Sequence, residues 1–441
     1  MYHKRIHVLA ICFLLLALVL TGCGGAATNA QNGNAIHTGM LDPQKKYTVN
    51  FWEAFATGAN KTTLANLTGQ YMHVHPDVMV DLQAFDSYDT LQTKLRAAIA
   101  AGNPPALAQV YEEWATQFQQ AHALTSLQPF ISGKNGLSQS DLADFYPAML
   151  QDGQIGGTQY MLPFNKSDIA LYYNVDILQK YGLQPPKTFQ EFTADVTKVT
   201  NSSQWGLSYT PDVDLWSILY KSLGGGDFVA PDGLSVAFAN GKSQQAATQA
   251  FGMLAPYVKL GAIHVTTGYN WQNDFASQKS AFAIATIASY PFLASSIGNH
   301  FQFAEAPMPA GPAGQFTVLY GTNLAIFAGA NQDAQTAAWD YLKFLTSTQA
   351  NATFVQGTGY MPVRRSTFNS SALQRYYSKA PARKVGPQQL GSAFVASTVP
   401  AWDQCRNIIS TSFTGTLSGQ STENNALNKV VQQCNFALAQ G

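Results

Sequence analysis

The amino-acid sequence predicts an α/β protein with two lobes. From residue 46 onward, short apolar segments rich in β-branched and aromatic residues alternate with helical segments, and a second series of this kind begins after 169–173. This β-α-β order is typical of a largely parallel sheet that is covered by helices on both faces. The length of 441 residues agrees with two or three domains of about 100–200 residues each. A small molecule would then bind between the two lobes.

The first series contains three strands with a helix between each pair. The predicted elements are strands at 47–52, 78–85 and 107–111 and helices at 61–71 and 90–101. The second helix must end before 102–105, because the Gly-Asn-Pro-Pro found there cannot continue a helix.

The second series is longer and begins with the strand at 169–173. Thr188 and Glu191 have the spacing of a capping box and predict a helix start. Residues 281–287 alternate small and apolar side chains and are predicted to form a strand. Residues 333–345 are predicted to form a helix with Trp339, Leu342 and Leu345 on one face.

The first 22 residues are typical of a secretion signal. A basic start precedes an unbroken apolar run at 8–20, which is too short for a membrane span of about 20 residues. The run ends in 20–23, Leu-Thr-Gly-Cys, which resembles the bacterial motif for lipid attachment at Cys23. The alternative is an ordinary secretion signal with a chance cysteine. Residues 23–40 are polar and small and are predicted to be a flexible tether.

The charge balance excludes one class of function. The chain has 25 basic and 25 acidic residues and only 11% charged residues, against about 25% in an ordinary soluble domain. Removal of 1–22 takes away two basic residues and leaves 23 basic against 25 acidic, a net charge of −2. A nucleic-acid partner is therefore not expected, because binding phosphate backbones requires a positive excess.

The expected export of the chain determines the state that we expect for each cysteine. Cys12 would leave with the signal and Cys23 would carry lipid, so Cys405 and Cys434 would remain in an oxidising compartment. We expect these two to form a disulfide. No histidine or further cysteine lies close to either in sequence, so a metal site is not expected.

Catalytic motifs are missing from the sequence. It contains no Gly-x-Ser-x-Gly, His-Glu-x-x-His or Gly-x-Gly-x-x-Gly pattern, and 241–243 lacks the first glycine of a phosphate loop. His73 and His75 are interpreted as surface residues. A pair of glycosidase carboxylates is not excluded by counting alone. Aromatic residues make up 12% of the chain, which suits a cleft that stacks against sugar or polyol faces.

Several segments in a fixed order resemble one protein family. The segments are 95–105 (LRAAIAAGNPP), 109–112 (QVYE), 160–165 (YMLPFN), 171–176 (LYYNVD) with 181–189 (YGLQPPKTF), 275–282 (FASQKSAF) and 337–345 (AAWDYLKFL) followed by 358–363 (TGYMPV). They are similar to the family-1 extracellular solute-binding proteins of ABC importers. Within that family, the sequence most resembles the proteins that bind sn-glycerol 3-phosphate and glycerophosphodiesters. The resemblance implies a type II-like periplasmic-binding-protein fold, with a hinge and a ligand cleft between the lobes.

The resemblance also implies a set of ligand-contacting residues. They are Tyr88, Glu112, Ser167, Trp216, Ser289, Gly321, Tyr360 and Arg406. The guanidinium of Arg406, with the serines and the Gly321 N–H, would hold a phosphate group. Glu112 would accept from hydroxyl groups, while the aromatic residues would cover the carbon faces. For a neutral sugar, Arg406 would instead donate to a hydroxyl group or be structural.

The implied function is capture of a solute and its delivery to a membrane permease, with no catalysis and no cofactor. The protein would act as a monomer that a lipid anchors to the outside of the bacterial cell membrane. Lobe 1 would comprise 41–165 and 308–361, and lobe 2 would comprise 166–306 and 362–441. The chain would cross between them near 163–168, 303–308 and 360–364. The alternative function is a cell-surface lipoprotein hydrolase, either a glycosidase or a phosphodiesterase.

Overall fold

The fold is taken from a computed structural model, which describes residues 40–395 and 397–440. The predicted signal segment 1–22, the lipid-attachment residue Cys23 and all of the tether before Met40 lie outside the described residues. None of the helices in the described part of the chain has the length and apolarity that a membrane crossing requires.

Strands and helices alternate along the chain. The strands are β1 (Tyr47–Glu53), β2 (Val78–Ala84), β3 (Leu107–Val110), β4 (Gln154–Ile155), β5 (Thr158–Gln159), β6 (Met161–Pro163), β7 (Ser167–Asn174), β8 (Trp205–Tyr209), β9 (Ile263–Val265), β10 (Ser280–Thr286), β11 (Phe303–Ala306), β12 (Thr317–Tyr320), β13 (Asn323–Ile326) and β14 (Ala393–Phe394). The helices of the N-terminal half are α1 (Gly58–Val74), α2 (Tyr88–Ala100), α3 (Glu112–Gln120), α4 (Gln128–Ser132), α5 (Gln139–Asp144), α6 (Pro147–Asp152), α7 (Val175–Lys180), α8 (Phe189–Val199) and α9 (Val213–Ser222). The helices that follow are α10 (Gly241–Gly252), α11 (Ala255–Lys259), α12 (Asn270–Ala276), α13 (Tyr290–Ile297), α14 (Gln332–Leu345), α15 (Thr348–Thr358), α16 (Arg365–Asn369), α17 (Ser371–Lys379), α18 (Val385–Gln389), α19 (Trp402–Leu417) and α20 (Glu423–Leu438). Short 3₁₀ turns occupy Ile287–Ser289, Pro381–Lys384 and Leu390–Ser392.

Two sheets form the centres of two lobes. In the first lobe the strand order is β2-β1-β3-β13-β6, and in the second it is β14-β12-β7-β10-β8-β9, with β11 also paired to β7. The two-lobed α/β fold class is therefore confirmed. The capping box at Thr188 and Glu191 is present at the start of α8.

The expectation of largely parallel sheets is wrong for the strands that enter a sheet from the other lobe. β13 runs antiparallel to β3 and β6, and β7 runs antiparallel to β10, β11 and β12. A parallel neighbour requires a crossover connection within one sheet. Strands that arrive from the other lobe are free of that requirement.

Two of the expected crossings lie elsewhere. The eight residues of β7 pair with β11 along 171–174 and with β12 along 167–168, so the chain stays in the second lobe until β12 ends. The crossing expected at 303–308 is therefore at 321–322, between β12 and β13. The crossing expected at 360–364 is also later, because α17 buries Leu373 and Tyr377 against α15 of the first lobe. The first crossing, between β6 and β7, lies at 164–166.

The core of the second lobe contains the two cysteines. Cys405 on α19 and Cys434 on α20 are both buried and both free, and the Sγ atom of Cys434 lies 4.0 Å from the carbonyl oxygen of Cys405. The expected disulfide is thus not formed in this structure. Both thiols pack as small apolar side chains among neighbours such as Ile409, Phe413 and Val430.

We expect these thiols to be shielded in the folded protein. The hydrogen bond to Cys405, together with burial, raises the pKa of Cys434, and the thiolate is the reactive form. A chain of residues 24–441 should react with a thiol reagent such as dithionitrobenzoate only after denaturation, and should then yield both free cysteines. Absence of reactive thiols in the denatured, unreduced chain would contradict this prediction.

Candidate functional site

A cavity of 570 Å³ lies between the two lobes. Five tyrosines contribute to its wall: Tyr88, Tyr111, Tyr269, Tyr320 and Tyr360. A second cavity of 210 Å³ adjoins it and shares the lining residues Tyr269, Thr286, Ser289 and Tyr320. The two cavities together form the cleft, which is large enough for a small organic solute.

The first lobe places its cleft residues at the carboxyl ends of parallel strands. Residues 54–57 follow β1, Asp86 and Tyr88 follow β2, and Tyr111 follows β3. Because β2, β1 and β3 are neighbouring parallel strands, these ends meet at one edge of the sheet. Ligands of open α/β sheets bind at that edge.

The second lobe contributes residues from the strands around β7. Ser167 begins β7, Thr286 ends β10 and Tyr320 ends β12. Ser289 closes the short turn that follows β10. Both lobes thus contribute side chains to one cavity.

Five of the eight expected ligand-contacting residues line the larger cavity. They are Tyr88, Ser167, Ser289, Gly321 and Tyr360. The hydroxyl groups of Tyr88 and Tyr360 lie 3.3 Å apart. The assignment of these five residues as ligand contacts stays a prediction. All five line one cavity, as that assignment requires.

A polar network at the lobe crossings holds these residues. The side chain of Asn165 donates to the Tyr88 hydroxyl at 3.0 Å and accepts from the Gln109 amide at 3.0 Å. Gly321 has a φ of +98°, and a Cβ atom there would lie 2.1 Å from the Asn165 carbonyl oxygen. Only glycine fits this approach, so the glycine has a steric role at the crossing.

Trp216 does not line the cleft. Its side chain is fully buried in the second lobe, where it stacks on Tyr220 with a ring separation of 5.4 Å and packs on Phe238 and Phe251. The expected stacking role is therefore wrong for this residue, because every face of α9 around it is covered.

Glu112 lies beside the cleft and is not among its lining residues. It is the first residue of α3 and is buried next to Tyr111, which does line the cavity. Burial raises its pKa well above the usual range, and the neighbouring carboxyls of Asp152 and Glu113 add to this effect. A protonated Glu112 could donate as well as accept a hydrogen bond.

Arg406 lies at the edge of the smaller cavity and is already paired. Its Nη2 atom donates to Asp214 Oδ1 at 3.0 Å, and its guanidinium carbon is 6.0 Å from the centre of the Tyr320 ring. Asp214 and Tyr320 both line the smaller cavity. Burial raises the pKa of the nearby Glu113 to about 7, although the charge of Arg406 opposes the shift.

Two further cations near the crossings are also paired with carboxylates within the protein. The pairs are Lys166 with Asp152 and Arg383 with Glu305. Lys166 also donates to the Gly321 carbonyl at 2.8 Å, and Arg383 donates to the Gly359 carbonyl at 2.7 Å. In the described residues, neither cavity is lined by a lysine or an arginine.

Three buried polar atoms in the cavity wall lack a partner among the described residues. They are Asn60 Oδ1, Tyr111 Oη and Ser167 Oγ. Buried polar atoms are normally hydrogen-bonded, and these three belong to residues that line the cavity.

Sequence reasoning missed several cleft residues. Tyr111 could have been found, because it ends a predicted strand within the 109–112 motif. Asp86 also follows a predicted strand. Asn60, Asp212, Asp214 and Tyr269 carry no local signal of that kind. No group of three or more potential metal ligands occurs within the described ranges.

Comparison with known proteins identifies a family. Residues 66–384 match the sequence model described as "Bacterial extracellular solute-binding protein". The chain is 26% identical over 408 residues to the sn-glycerol-3-phosphate-binding periplasmic protein UgpB of Rhizobium meliloti, covering 89% of this chain and 94% of that protein.

Solved structures show the same fold. UgpB from Mycobacterium tuberculosis in complex with glycerophosphocholine matches with a TM-score of 0.78 and 21% identity, covering 89% of this chain and 98% of that one. The GacH receptor of Streptomyces glaucescens, solved unliganded and with acarbose, matches with a TM-score of 0.78 and 20% identity over the same shares.

Proposed function

The chain belongs to the bacterial extracellular solute-binding proteins of ABC importers, and we propose that it is the lipid-anchored receptor of one such importer. Its ligand is glycerol 3-phosphate, a glycerophosphodiester or a related sugar. It catalyses no reaction, needs no cofactor and acts as a monomer that delivers its solute to the permease subunits. The lipid anchor is attached at Cys23, after removal of 1–22.

One observation carries this proposal. The 570 Å³ cavity between the lobes combines tyrosine rings from both lobes with the unpartnered atoms of Asn60, Tyr111 and Ser167. Aromatic faces cover the carbon skeleton of a polyol, and the polar atoms take its hydroxyl groups. Since the walls come from two lobes joined by crossing segments, a hinge closure would bury the solute and present both lobes to the permease.

The proposal is tested with a thermal-shift panel of solutes. Glycerol 3-phosphate, glycerophosphocholine, maltose and several monosaccharides are each added to the folded chain. At about 100 times its Kd, a true ligand contributes about 2.7 kcal/mol of stability, which should raise Tm by about 3 °C for a protein of this size. If no solute in a broad panel raises Tm, or if the protein turns a solute over, the receptor proposal fails.

A pair of variants shows whether a shift arises in the cleft. Tyr269 lines both cavities and is 77% exposed, so Tyr269→Ala should leave the fold intact and weaken binding about fivefold to tenfold. Phe436 on α20 is similarly exposed, at 65%, and lines neither cavity. Phe436→Ala should therefore leave the affinity unchanged. Equal effects of the two variants would place binding outside the cleft.

A further inference from the structure

The charge arrangement of the cleft bears on which solutes it accepts. A free arginine side chain favours phosphate, because its planar fork matches the phosphate oxygens. Among the described residues, three cations near the lobe crossings each have a carboxylate partner, in the pairs Lys166–Asp152, Arg383–Glu305 and Arg406–Asp214. The first two pairs are almost completely buried, whereas the Arg406 side chain is 16% exposed and its partner Asp214 lines the smaller cavity.

Asp214 already pairs with the guanidinium that would attract a phosphate. Its carboxylate accepts from Arg406 at 3.0 Å, and the two side chains are only 10% and 16% exposed. Asp214 itself lines the smaller cavity, so its negative charge faces an entering solute. A phosphate would have to displace this carboxylate from the guanidinium and would then lie beside it.

The remaining cavity wall is suited to uncharged hydroxyl groups. Asp86 lines the larger cavity, and Asp212 joins Asp214 in the smaller one. Carboxylates accept hydrogen bonds from hydroxyl groups and repel phosphate. Asn60 and Ser167, which also line the larger cavity, are uncharged and suit neutral hydroxyl groups.

We propose that Asp214 is a specificity-determining residue, which keeps phosphate-bearing solutes out of the cleft by holding Arg406 and leaves neutral polyhydroxylated solutes as the ligands. The inference rests on the proposed receptor function and narrows its ligand class. It also gives Arg406 a role as a positioning residue for the Asp214 carboxylate.

The test measures binding of glycerol 3-phosphate and of the neutral panel sugars by calorimetry. The wild type should bind a neutral sugar and show no saturable binding of glycerol 3-phosphate. Asp214→Asn keeps the side-chain shape and removes the competing charge, so it should bind glycerol 3-phosphate at least tenfold more tightly than the wild type. Adding Arg406→Gln to Asp214→Asn should abolish this gain.

Asp212→Asn is the matched control. Asp212 lines the same cavity and caps α9 by accepting from the Leu215 N–H at 3.0 Å, a bond that asparagine can keep. It removes a carboxyl group from the same cavity while Arg406 stays paired with Asp214, so it should gain no affinity for glycerol 3-phosphate. An equal gain in Asp212→Asn and Asp214→Asn would overturn the specific role of Asp214.

The wild type alone can also overturn the inference. If it binds glycerol 3-phosphate saturably and Arg406→Gln abolishes that binding, the inference fails while the receptor function stands. A folded Asp214→Asn variant, verified by its circular dichroism and Tm, that gains no phosphate affinity also overturns it. If no solute of either class binds, the receptor function fails and this inference fails with it.

Discussion

Replacing Lys166 by methionine should lower the free energy of unfolding by about 3–5 kcal/mol. The Lys166 ammonium pairs with the Asp152 carboxylate, and the two side chains are 1% and 2% exposed. The variant would leave Asp152 buried without its countercharge, with the Asn323 amide at 2.8 Å as a remaining donor. An unpaired buried charge is among the most destabilising defects that a single substitution creates.

The same substitution at an exposed pair provides the control. Lys45 pairs with Asp333 at 3.1 Å, and both side chains are about half exposed, at 52% and 50%. Exposed ion pairs contribute little to stability, so Lys45→Met should change the free energy of unfolding far less than Lys166→Met. Denaturant unfolding followed by tryptophan fluorescence measures both variants. Equal losses of stability in the two variants would show that the buried ion pair contributes no more than the exposed one.

A double variant separates the charge effect from a packing effect. Lys166→Met combined with Asp152→Leu removes both charges, so no uncompensated carboxylate remains. It should recover part of the stability lost in Lys166→Met. If the double variant is less stable than the single one, the loss arises from packing at the crossing.

The sequence predicted those strands and helices that are determined by residues close together in the chain. β1, β2 and β10 alternate or run apolar over several residues, and the capping box at Thr188 requires only a three-residue spacing. The lobe boundaries were harder, because β12 is four residues long and belongs to the second lobe only through its pairing with β7. That pairing joins segments about 150 residues apart.

The cleft could be predicted in part for the same reason. Tyr88, Ser167 and Tyr360 lie in or beside segments that resemble a known family, and all line the cavity. Trp216 shows the limit, because an aromatic residue on a helix fits a cleft or a core equally well until its neighbours are known. The pairing of Arg406 with Asp214 shows another limit of prediction from sequence. The two residues are 192 positions apart, and no sequence pattern joins them.

Ionisation of Asp168 should lower the free energy of unfolding as the pH rises from about 4 to about 8. Asp168 is fully buried in β7, and burial raises its pKa to about 8 although the charge of Arg383 opposes the shift. Its pKa in the unfolded chain is about 3.9. Between these values the folded protein holds one proton more than the unfolded chain.

The sign follows from proton linkage. A group with a raised folded-state pKa contributes stability that is fully present below its unfolded pKa and is lost as the pH rises through the folded value. Each such group lowers the free energy of unfolding by about 1.4 kcal/mol per pH unit across that window. Glu113 and Asp212, with pKa values raised to about 7, should act in the same direction.

Asp168→Asn should make the free energy of unfolding less dependent on pH, by the contribution of one ionisable group. The variant cannot ionise, so its stability relative to the wild type should increase steadily between pH 4 and pH 8 and stay constant above that. Asp141→Asn is the control of opposite sign. Hydrogen bonds from Ser138 lower the pKa of Asp141, so this exposed carboxylate contributes stability above its unfolded pKa that is lost in acid, and its removal should weaken the protein at neutral pH. Urea unfolding at several pH values measures both slopes, and an Asp168→Asn slope equal to that of the wild type would show that Asp168 is ionised in the folded protein throughout.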